Sequence, residues 1–62
     1  MGIQRLHIEL SDTEAEALAQ FVKRIGWTEF RQNAIDDSEA DVIRAGIGKL
    51  QDALARAGYA PR

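Results

Sequence analysis

Residues 3–10 read Ile-Gln-Arg-Leu-His-Ile-Glu-Leu, and within them Leu6, Ile8 and Leu10 alternate with Arg5, His7 and Glu9. Alternation with period two is the pattern of a half-buried strand, and no other segment of the chain carries it. A lone strand cannot pair its own backbone N–H and C=O groups, and such groups are costly when buried unpaired. Residues 3–10 are therefore expected to pair outside their own chain. The simplest arrangement is a homodimer through residues 3–10, with Leu6 and Ile8 buried between helices. Pairing with a client protein is the other option, and the residues do not choose between them.

Everything after Leu10 reads as helix. Ser11-Asp12-Thr13-Glu14 is a capping box, in which hydroxyl and carboxylate each accept from the other residue's amide. Ala15, Leu18, Ala19, Val22 and Ile25 then form one apolar stripe, which predicts a helix over about 12–25. Lys23 and Arg24 suit the negative end of its dipole, and Gly26 suits a left-handed C-terminal position. Trp27, Phe30 and Ala34 share a face, so a short helix of about two turns capped by Thr28 is expected, with a break over Asn33–Asp37. A last helix is expected to start at Asp36, Asp37 or Ser38 and to run to Ala57. It carries Ile43, Ile47, Leu50, Leu54 and Ala57 as a narrow seam for another helix.

Gly58 and Tyr59 fit a Schellman ending in which Tyr59 touches Leu54, and Pro61 prevents the helix from resuming. Gly46 and Gly48 stand inside that last helix, each costing up to about 1 kcal/mol relative to Ala. Close approach of another backbone is the expected reason for Gly46; none is evident for Gly48. The fold class is thus α+β, mostly helical, in the order β-α-α-α. Residues 1–62 form one small domain, with Leu18, Val22 and Ile25 packed antiparallel on Ile43, Ile47, Leu50 and Leu54.

Sixty-two residues lie near the lower limit for a self-supporting core. A hydrophobic content of 45% argues against wholesale disorder. The chain has no cysteine, which excludes disulfides and thiolate metal sites and makes a reducing cytosol the natural compartment. No apolar run is long enough to span a bilayer, and the start lacks the apolar core of a signal peptide. Ten acids against eight bases give a net charge of −2, where a dedicated nucleic-acid binder is usually basic.

Catalytic chemistry finds little to work with. His7 is the single histidine, Ser11 and Ser38 are explained by capping, and Gly46-Ile47-Gly48 lies within a helix rather than after a strand. No enzyme activity, cofactor or metal site is expected. Charge is more suggestive. Acids open both long helices and bases close them, which dipole compensation explains. Yet Asp36, Asp37, Glu39 and Asp41 exceed what one helix start needs, so an acidic patch for a basic protein partner is expected there. Trp27 and Phe30 are its candidate apolar anchors.

Two resemblances bear on function. Strand, capped helix, Gly26-Trp27-Thr28 and a following helix resemble the ribbon-helix-helix DNA-binding family over residues 3 to about 35. That likeness implies a dimer whose Arg5 and His7 face the major groove, with Thr28 opening a phosphate-facing helix. The chain departs from the pattern at Glu9, which would oppose phosphate, and at the interruption over 33–37. Ile8-Glu9-Leu10-Ser11-Asp12, Ala17 through Trp27, Arg31-Gln32-Asn33-Ala34 and Ala57 through Arg62 resemble a group of short phage and prophage proteins of unknown function. Small phage proteins of this size include anti-CRISPR inhibitors of type I systems. The resemblance implies a non-enzymatic inhibitor docking on a host protein complex such as a CRISPR effector. The alternative is a dimeric DNA-binding regulator.

Overall fold

A computed structural model describes residues 2–59 and places three helices there: α1 (Asp12–Arg24), α2 (Trp27–Gln32) and α3 (Asp37–Arg56). Ser11 caps α1 as a full box. Its hydroxyl accepts from the Glu14 amide at 3.1 Å, and the Glu14 carboxylate accepts from the Ser11 amide at 2.9 Å. Asp36 caps α3 by accepting from the Glu39 amide at 2.8 Å. The Glu39 carboxylate reaches one residue further back than a box requires and takes the Ile35 amide at 3.0 Å.

The expected β-α-α-α fold is corrected to an all-helical one, because the described residues contain no strand. Residues 2–10 carry no helix, turn, bend or bridge, and all nine are exposed. The reason is the one that made the segment conspicuous. A strand exists by sharing backbone hydrogen bonds with a neighbour, and every other long segment has satisfied its own as helix.

A second correction concerns Gly26, whose φ of −137° is extended and not left-handed. Only two residues separate α1 from α2. Ile25 ends the first helix in an extended conformation, and Gly26 already caps the second. Among the described residues, positive φ is confined to Gly58, at 99°. There the expected Schellman ending forms: Gly58 N–H donates to the Ala55 carbonyl at 3.0 Å and Tyr59 N–H to the Leu54 carbonyl at 2.9 Å. The expected stop at Pro61 lies outside the described residues.

α3 is the spine on which both other helices pack. Ala15, Ala19, Val22 and Leu54 form the central cluster, flanked by half-buried Leu18, Ile47, Leu50 and Tyr59. Phe30 of α2 and the fully covered Ala40 are buried as well. Half of this buried set is alanine, so the core is close-packed but thin. The radius of gyration of 12.6 Å exceeds the roughly 10.6 Å of a compact chain this long. Residues 2–10, exposed throughout, contribute to that excess.

Candidate interaction surface

The thin core leaves its apolar side open along the crease between α1 and α3. Ile8 and Leu10 enter that trough at one end, beside Ala15, Leu50, Leu54 and Tyr59. Leu10 also borders an adjoining patch made by Ala17, Leu18 and Phe21 of α1. Further out the N-terminal segment leaves the protein surface, and Leu6 is 88% and Ile3 92% exposed. The residues expected to bury themselves in pairing, Leu6 and Ile8, are therefore on the outside of the single chain. Arg5 and His7 lie exposed on the same segment.

Tyr59 lines the same part of the trough as Ile8 and Leu10. Its hydroxyl donates to a carboxylate oxygen of Asp12, in the first turn of α1. This hydrogen bond holds the phenol above its ordinary pKa of 10.0, helped by partial desolvation and by the negative charge of Asp12 and Glu16. The start of α1 is thereby tied to the end of α3, and the two long helices run in opposite senses.

Asp36, Asp37, Glu39 and Asp41 were expected to form a docking patch. Asp36 and Glu39 are instead engaged with backbone amides at the start of α3. Asp37 pairs with the Arg31 guanidinium at 2.6 Å. Both partners are substantially exposed, so this pair contributes no more than about 1 kcal/mol. Asp41 remains on the exposed face of α3. Arg31 also donates to the Ala34 carbonyl at 3.2 Å, and the Asn33 side chain donates to the Glu29 carbonyl at 2.8 Å. The Arg31-Gln32-Asn33-Ala34 motif thus builds the turn between α2 and α3.

The two expected anchors separate. Trp27 is 42% exposed and available, whereas Phe30 is 8% exposed and serves the core. Thr28 lies inside α2 rather than capping it. Gly26 is the cap, and its amide donates to the Glu29 carboxylate at 2.6 Å. A phosphate facing this six-residue helix would meet that carboxylate, which removes the expected role of Thr28. Among the described residues no three His, Asp or Glu side chains are grouped to hold a metal ion. No helix there is long and apolar enough to cross a membrane.

Sequence reasoning missed Phe21, Ile35 and Val42, all large, apolar and exposed. The available signal was negative: Phe21 and Val42 fall off the stripes that face the core, and Ile35 lies in the turn between α2 and α3.

The described residues thus form three helices with an apolar crease between α1 and α3 that is open to solvent. The chain belongs to DUF7706, a family of unknown function that matches it over residues 1–62. No curated protein and no solved structure matches it.

Proposed function

We propose that this protein acts by docking on another protein, as a non-catalytic inhibitor of a host protein complex in the bacterial cytoplasm. One observation carries the reading: large apolar side chains are concentrated outside, while the inside is half alanine. Trp27 at the start of α2 and Ile35 and Val42 on either side of the start of α3 are exposed, as are Asp41 and the Arg31-paired Asp37. An apolar anchor with carboxylates nearby suits a partner surface rich in Lys and Arg. The resemblance to short phage proteins supplies a target class, the basic, nucleic-acid-guiding surface of a type I CRISPR effector.

The test is capture of target DNA by a purified type I effector as this chain is titrated in. Capture should fall at micromolar chain. Trp27→Ala should weaken inhibition about tenfold or more, as truncation of an interface aromatic does. Asp41→Asn should slow association, more visibly at low salt. Undiminished capture at a concentration on the order of 100 µM, a Kd too weak for a specific inhibitor, would sink this target class.

A further inference from the structure

We infer that the open crease between α1 and α3 is covered by a second copy of this chain, apposed antiparallel about a two-fold axis at His7. The inference goes beyond the inhibitor reading and does not depend on it, because the purified chain alone suffices for its test.

The residues of the segment complement themselves in one register. With two copies of residues 3–10 antiparallel and His7 facing His7, Arg5 stands directly opposite Glu9 of the second copy, and Glu9 opposite Arg5. Leu6 stands opposite Ile8 on the other side of the same backbone. Opposite charges face to face are favourable and like charges are not. Shifting the segments by one residue each way breaks both Arg5–Glu9 contacts. The arrangement is isologous, since one set of residues serves both sides, as a closed pair requires.

Two features of the structure agree with this occupant. Ile8 and Leu10 already run into the crease, so the two-fold brings one copy's Leu6 and Ile8 toward the other's Leu18, Phe21 and Leu50. Gly46, whose expected close neighbour is absent within the chain, has nothing within 4 Å of where a Cβ would stand. It is exposed on α3, where the backbone of a second copy can approach. The unpaired backbone groups of residues 3–10 then find partners between chains, while each chain remains helical.

Sedimentation equilibrium of the full chain tests this. The wild type should be dimeric at micromolar concentration; a monomer on the order of 100 µM, in the millimolar-affinity range, overturns the inference. Arg5→Glu and Glu9→Arg should each weaken self-association about tenfold or more through like-charge repulsion, and an equimolar mixture of the two variants should regain it as a mixed dimer. Both positions are fully on the surface, so helix content by circular dichroism should not change. Variants that dimerise like the wild type, or a mixture no tighter than its components, overturn the register. His7→Cys places the sole cysteine on the axis and should form a disulfide dimer under mild oxidation faster than Arg5→Cys does. Equal rates also overturn the register.

Discussion

At the end of α3 the main chain is closed by two backbone hydrogen bonds, a left-handed glycine and a tyrosine tied to α1. Residues 2–10 run into the same crease beside it with none of these, and only Ile8 and Leu10 reach apolar neighbours. Both segments carry large apolar side chains. They differ in where their backbone groups find partners: inside the chain for residues 54–59, and nowhere inside it for residues 2–10. Apolar content alone therefore does not fold a segment onto its own domain. A local hydrogen-bonding solution is also needed, and alternation with period two offers none without a neighbour.

The sharpest way to break this comparison is a pair of leucines. Leu54→Ala should cost about 2–5 kcal/mol, most of the stability of so small a domain. Leu6→Ala should change the stability of the isolated chain by less than about 0.5 kcal/mol, as expected of an exposed site. Urea melts followed by circular dichroism at several protein concentrations read both. A cost for Leu6→Ala that grows with concentration would report coupling to association rather than to the fold.

Gly58→Ala forces a side chain into left-handed backbone and should cost about 1–2 kcal/mol in the same melts. A smaller loss would mean that the end of α3 is less firmly closed than its hydrogen bonds imply. Gly46→Ala sharpens the comparison from the opposite sign. It should raise the stability of the dilute single chain by up to about 1 kcal/mol, since a helical glycine gains a methyl in open space. The same substitution should weaken self-association in sedimentation, where the space is shared.

Tyr59→Phe should have the smallest effect, a modest loss of stability that is present below about pH 10 and fades as the pH rises above it. The native phenol is held above its ordinary value of 10.0, chiefly by its bond to Asp12. A group whose pKa is raised on folding contributes stability below its unfolded value and loses it as pH rises through the folded one. Wild-type stability should therefore fall more steeply above about pH 10 than that of Tyr59→Phe, as stability curves collected across that range would show.

Much of the helical architecture is legible in the residues, for local reasons. The Ser11–Glu14 box and the Gly58–Tyr59 ending act within a few residues and form as their patterns predict, whereas Asp36 is the cap among three starts that the pattern leaves open. The stripes on α1 and α3 likewise name Ala15, Ala19, Val22 and Leu54 as core. The site was harder to read. Asp36, Asp37 and Glu39 look surplus as a string of acids, but their geometry spends them on the turn into α3. Phe30 and Trp27 look equivalent at helical spacing, yet only the fold decides which one faces α3.

What the amino-acid order determined by itself was local: the Ser11 box, the Gly58–Tyr59 ending, the approximate helix limits and the apolar stripes. The tertiary structure alone decided that Phe30 is inside and Trp27 outside, and that the crease between α1 and α3 stays open. Those outcomes depend on contacts between residues distant in the chain, which local propensity does not encode. The fate of residues 3–10 belongs to this second kind, because a main chain with no internal partner takes its conformation from whatever comes to lie beside it.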